Sequence, residues 1–203
     1  MLVQTFVPYA DFARTAAVLD TKRLGKQRVE VIQIVRALTV PGYAWASHPA
    51  VLMWKGHEEA LGRYGLDMCD EWVRRGYDDT CAGTITADLA AAGVGPLRTY
   101  DELLAAGALP AWLFEEPVQA SHRSALVRKD AAHYASAFPD ADPDVPYVWP
   151  VRSEAVLERE RRREEAAAKR AVREQEARRR RRSAAAKKAW QTRRATSGPP
   201  TQP

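Results

Sequence analysis

The chain has 203 residues, 46% of them hydrophobic and 28% charged, with a mean hydropathy of −0.43, which allows one well-buried core plus an appendage. Residues 1–152 hold 15 Lys/Arg against 19 Asp/Glu, a net −4, whereas residues 153–203 hold 16 against 7, a net +9. The pI of 9.4 therefore belongs to the tail, and a uniformly basic body is excluded.

In chain order, VQTFVPYADF alternates briefly, is broken by Pro8, and reads as an extended lead-in. Asp11 is placed to cap a first helix, FARTAAVLD. LDTKRLGKQRVEVIQIVRAL then predicts a second helix, with Leu24, Val31, Ile32, Val35 and Leu38 at helical steps. Gly25 weakens its start by about 1 kcal/mol relative to alanine, and Pro41-Gly42 ends it. His48-Pro49 opens a third helix. AVLMWKGHEEALGRYGLDMCDEWVRRG continues as one long helix or two in tandem, with Val51, Trp54, Leu61, Tyr64, Met68 and Trp72 as its buried stripe and Gly76 as its stop.

Residues 77–120 are less legible. TITADLAAAGVGP is small and flexible in composition, TYDELLAAG is a short helix, and LPAWLFEEP is a turn-rich apolar link. A further helix is expected at about 119–137, and FPDADPDVPYVWPV predicts an ordered extended wrap. From Ser153 the chain is almost wholly Ala, Arg, Glu and Lys, all helix formers but without an apolar stripe. The expected fold is all-α. It consists of a compact single-domain bundle over 1–152 with a Pro/aromatic segment, and a long charged helix running into disorder over 153–203.

Cys69 and Cys81 have no metal-type spacing and read as two unpaired thiols. MLVQTFVPYADF carries no signal-peptide pattern, and no run nears the roughly 18 apolar residues of a membrane span. The expectation is a cytoplasmic protein with no membrane contact. No Gly-rich phosphate loop, Rossmann fingerprint or zinc motif is present, so neither a metal nor a cofactor is expected.

Three constellations could carry chemistry. On the second helix Asp20, Arg23, Gln27 and Glu30 share a face, with Lys22 and Lys26 one step around. Cations there could hold phosphates, and carboxylates could manage a proton or stabilise a developing cation. The plainer reading is a solvated face laced with ion pairs. His57, in WKGH, is open to a structural or a functional role, and Trp54 reads as core. In ASHRSALVRKD, His122, Arg123, Arg128 and Lys129 form the body's second cationic cluster, suited to phosphate or simply to solvation. The five arginines 178–182 favour phosphate, and Tyr147 and Trp149 could stack on bases or pin the chain.

Taken in order, TFVPYADF, LDTKRLGKQRVE, HPAVLMWKGHEEAL, WVRRGYDDT, ASHRSALVRKD and PYVWPV resemble the pyrimidine-dimer DNA glycosylase family of endonuclease V type, in its bacterial branch, over about residues 3–152. The resemblance implies an α-helical enzyme of DNA repair, nucleoid-associated in a bacterium, that removes a base from damaged double-stranded DNA. The chain's N-terminal amine forms an imine with the sugar, and β-elimination then breaks the strand. It implies Met1 as the nucleophile, with a carboxylate to stabilise the cationic sugar. The family's glutamate directly follows an arginine; here Leu24 follows Arg23, which leaves Glu30 and Asp20 as the carboxylates of that helix. Lys22, Arg23, Lys26, Arg28, His57, His122, Arg123, Arg128 and Lys129 are the expected DNA contacts, gripping the backbone while a base is displaced. The tail is expected to bind nucleic acid non-specifically. The alternative is a non-catalytic, nucleic-acid-binding relative, for which the absent glutamate and the +9 tail speak.

Overall fold

In the computed structural model the chain is described over residues 4–151 and 154–196. It divides into two units, Met1–Ser153 and Glu154–Pro203. The described residues of the body are helices and connections: α1 (Phe12–Val18), α2 (Thr21–Thr39), α3 (Pro49–Leu52), α4 (Glu58–Arg74), α5 (Cys81–Ala91), α6 (Tyr100–Ala105), a 3₁₀ turn at Ala111–Phe114, α7 (Glu116–Lys129) and α8 (Ala131–Tyr134). No strand occurs among the described residues.

The local rules place most of the boundaries. Asp11 accepts the Arg14 amide at 2.5 Å, and Asp20 accepts the Arg23 amide at 3.0 Å, so each starts its helix by satisfying an orphan N–H. α1 stops at Val18 because Leu19 turns extended and inward and Asp20 must cap α2. Gly56, at φ +81, separates α3 from α4, so the long apolar run is two helices.

Two expectations need correction. The stretch read as flexible is α5, whose Ile85 and Leu89 are buried. The helix expected at 119–137 starts earlier, at Glu116, and breaks at Asp130. There the backbone turns to φ −161, and the side chain accepts the His133 amide to cap α8.

α2, α4 and α5 form the centre of the bundle. All three meet at Gly65, where a Cβ would stand 2.7 Å from Val31 Cγ1 and 2.8 Å from Ile85 Cδ1. Phe12 of α1 packs edge-on against Tyr64, with ring centroids 5.4 Å apart, and Trp54 meets Trp112 at 5.0 Å. Gly25 is explained here as well. A Cβ at that position would lie 3.0 Å from the Trp72 ring, so the propensity cost in α2 lets an indole lie against the helix.

The tail unit is α9 (Glu154–Thr196), 43 residues or about 65 Å of helix. Its described side chains are nearly all exposed. Pairs such as Arg162–Glu158 at 3.0 Å and Arg178–Glu174 at 2.7 Å run along its surface.

Candidate active site

The lead-in Gln4–Pro8 is extended and runs through the body with no sheet to pair it. Buried backbone N–H and C=O groups must still find partners, and here side chains supply them. Gln27 is the principal one: its Oε1 accepts the Phe6 amide at 2.8 Å, and its Nε2 donates to the Gln4 carbonyl at 3.0 Å. The Tyr64 hydroxyl donates to the Phe6 carbonyl and reaches Gln27 Oε1, both at 2.8 Å. His122 Nδ1 accepts the Val7 amide at 3.0 Å, the Tyr147 hydroxyl donates to the Thr5 carbonyl at 3.3 Å, and Arg123 donates to the Pro8 carbonyl at 2.9 Å. Trp54 Nε1 donates to the Thr5 hydroxyl at 3.0 Å. This polar interior exists to hold one segment of backbone.

That segment brings Gln4 to a carboxylate. The Gln4 amide donates to Glu30 Oε1 at 3.3 Å, Gln27 Nε2 donates to Glu30 Oε2 at 2.6 Å, and the Lys26 amine lies 3.0 Å from Oε1. The Glu30 side chain is 4% exposed. Burial raises its pKa above the usual carboxylate range, against the pull of Lys26 and the Gln4 and Gln27 hydrogen bonds. Lys129, at the C-terminal end of α7, stands over the Phe6 ring at 5.8 Å from its centroid. Burial, then repulsion from Lys26 and Arg23, lowers its amine below the ordinary lysine value. Arg23 joins the two helices: it donates to Asp20 at 2.8 Å, to Asp130 at 3.3 Å and to the Lys129 carbonyl at 3.0 Å. Glu30, Lys26, Lys129 and Arg23 thus gather where the chain enters the body.

The other residues singled out from the sequence lie elsewhere. Asp20 caps α2 and accepts the Tyr134 hydroxyl at 2.5 Å. Burial pushes its carboxyl up, but the Tyr134 and Arg23 hydrogen bonds outweigh it and leave the pKa below the usual value. Arg28 is turned inward, ion-paired with Asp79 and 4.0 Å over the Trp72 ring. Arg128 donates to Ser124 and to the Val145 carbonyl, pinning the Pro-rich segment, and Arg123 also pairs with Glu116. His122 is fully buried and held neutral, its pKa pulled down to about 3 by burial. Because Nδ1 accepts, Nε2 carries the proton, and it finds no partner among the described residues. His57 precedes α4 without a side-chain capping bond. Lys22 is exposed on α2, and Met1 lies outside the described residues. Of the expected DNA contacts, His122 and Arg28 are the two whose side chains face the interior.

Sequence reasoning put Gln27 on the right face but assigned it no task, and Tyr64, Trp54 and Tyr147 read as core or as stacking groups. The signal was present in an extended lead-in with nothing to pair with, which requires interior polar partners. Among the described residues no group of side chains could hold a metal ion, and no helix is long and apolar enough to cross a membrane.

The described body is therefore all-α, and its extended lead-in brings Gln4 to a buried carboxylate beside Lys26. Residues 3–84 match the family model described as pyrimidine dimer DNA glycosylase. Over that span, about two fifths of the chain, the sequence is similar to this family, whose description points to DNA repair of the glycosylase type. No curated protein and no solved structure matches the chain.

Proposed function

We propose that the protein is a DNA glycosylase with an associated abasic-site lyase step on damaged duplex DNA. The amine at the chain start (Met1 in this sequence) is the nucleophile, and Glu30 is the carboxylate beside it. One observation carries the reading: the Gln4 amide donates to a buried Glu30, so the chain enters the body at the best-shielded carboxylate on α2. An α-amino group, with a pKa of about 7.7–8.0, has a usable unprotonated fraction near neutral pH.

In this reading the amine adds to C1′ of the damaged nucleotide as the base leaves with its bonding electrons; the C1′–O4′ bond then opens, O4′ taking the proton given up by the amine, and the open-chain iminium forms. Glu30 faces the positive charge that develops on the sugar. Loss of the C2′ proton then expels the 3′ phosphate, and water releases the amine. Lys22, Lys26, Arg23 and Lys129 grip the phosphates on either side while the base is displaced.

Leu24 supports a second reading, a non-catalytic DNA binder. The side chain that directly follows Arg23 is fully buried, so nothing at that position reaches a sugar. Borohydride reduction in the presence of abasic duplex DNA separates the two. The enzyme leaves a covalent protein–DNA adduct that Glu30→Gln diminishes; a mere binder leaves none while still shifting the DNA.

A further inference from the structure

We infer that Lys129 supplies a second imine-forming amine to this site, able to take up an abasic sugar when the N-terminal amine is blocked. The inference rests on the lyase reading above and extends it to a side chain.

Placement is the first argument. α7 ends at Lys129, and Arg23 fixes that turn to α2 by bonding the Lys129 carbonyl at 3.0 Å. The Lys129 amine lies 5.8 Å from the centre of the Phe6 ring, on the segment whose Gln4 reaches Glu30. The second argument is pairing. Lys26 is engaged with Glu30 at 3.0 Å, and the neighbouring Asp130 carboxylate is taken up by Arg23 and the His133 amide. Among the described residues Lys129 has no ion-pair partner. Cationic neighbours and partial removal from water favour the neutral amine, the form that attacks a carbonyl.

The step balances without a co-reactant. The unprotonated amine adds to the C1′ aldehyde of the ring-opened abasic sugar, and the carbinolamine loses water to give the iminium. Removal of the C2′ proton expels the 3′ phosphate with its electron pair. Hydrolysis of the conjugated imine returns the amine.

The test compares the native chain with one carrying an N-terminal extension, each incubated with abasic duplex DNA and borohydride and then digested for mass mapping. The expected result is a trapped adduct on the extended chain, mapping to the peptide that contains Lys129. Lys129→Arg in that background should lower the trapped yield about tenfold or more, because arginine keeps the cation and loses the nucleophile. An extended chain that traps nothing while the native chain traps normally overturns the inference and leaves the N-terminal mechanism standing. Equal trapping by Lys129→Arg overturns it in favour of another amine. No adduct from either chain overturns the lyase reading and this inference with it.

Discussion

Gln27 holds the Phe6 amide at 2.8 Å inside the body, and the same side-chain oxygen takes the Tyr64 hydroxyl. One residue of α2 therefore fixes both the threaded segment and α4. Gln27→Leu keeps much of the volume but strands the Phe6 amide, the Gln4 carbonyl and part of the Tyr64 hydroxyl. Each buried polar group left unpaired costs about 1–3 kcal/mol, so a loss on the order of 3 kcal/mol is expected in urea unfolding. Hydrogen exchange of the 4–7 amides should accelerate more than that of α5.

Glu30 is tested in the opposite direction. Its folded pKa is raised, so the protonated form is favoured by the fold and its contribution to stability fades as pH rises through that value. At neutral pH the buried carboxylate is a liability, and Glu30→Gln is expected to be as stable as the wild type or more so. Adduct formation and base release should nevertheless fall by about 100-fold, the scale of losing a preorganised electrostatic group. A variant that keeps its activity removes Glu30 from the site.

His122 gives the fold an acid-sensitive point. Its folded pKa, about 3, lies below the unfolded value of about 6.5. The unfolded chain thus takes up this proton first as pH falls, and stability drops through the window from about 6.5 to 3. The slope from this group is about 1.4 kcal/mol per pH unit. Asp67 acts oppositely: burial raises its pKa to about 6, so the fold gains from its protonation as pH falls from about 6 toward 3.8. The wild-type curve alone therefore conceals both effects. The difference in stability between wild type and His122→Gln, followed by urea unfolding at several pH values, should shrink toward acid; a constant difference would show that His122 titrates normally.

How much was legible in the sequence varied with the kind of signal. Caps and stops depend on local chemistry, so Asp11, Pro41 and Gly76 marked their boundaries, whereas Asp20, read as a site carboxylate on the helix face, is the cap of α2. α5 was missed because CAGTITADLAA has only Ile85 and Leu89 to bury, too few for a visible stripe. Charge density drew attention to the α2 and α7 cations, but charge does not say which way an arginine points. Arg28 turned inward to Asp79, whereas Arg128 stays at the surface and donates to the Pro-rich carbonyls. Those partners are 51 residues away for Arg28 and 15–17 for Arg128, and a single sequence does not reveal such pairings. Glu30 was one of two carboxylates that the sequence offered on α2. Only the path of residues 4–8 separated Glu30, in contact with that segment, from Asp20, spent on a cap.

Gly65 shows how tightly the centre is built. Alanine would favour helix α4 by about 1 kcal/mol on propensity. Its Cβ would meet Val31 Cγ1 at 2.7 Å and Ile85 Cδ1 at 2.8 Å, and both atoms belong to short, branched side chains on packed helices. Overpacking of this kind costs about 1–3 kcal/mol. Gly65→Ala is expected to lower the thermal midpoint despite the gain in helix propensity; a raised midpoint would mean that the three helices can part freely.

The tail is best tested by removing it. The body carries a net −4 and the tail a net +9, so on the proposed function long-range attraction to DNA is expected from residues 153–203 and local contacts from the cluster on α2 and α7. Every phosphate that the protein ceases to neutralise takes about 0.9 off the slope of log affinity against log salt. Deleting 153–203 should therefore weaken binding to undamaged duplex and flatten that slope by several units. Turnover on saturating damaged DNA should stay close to that of the full chain, since no residue proposed for the chemistry lies beyond Lys129. If turnover at saturation falls along with affinity, the tail takes part in the reaction. If slope and affinity both stay where they were, the arginines of α9 are directed at a partner other than DNA.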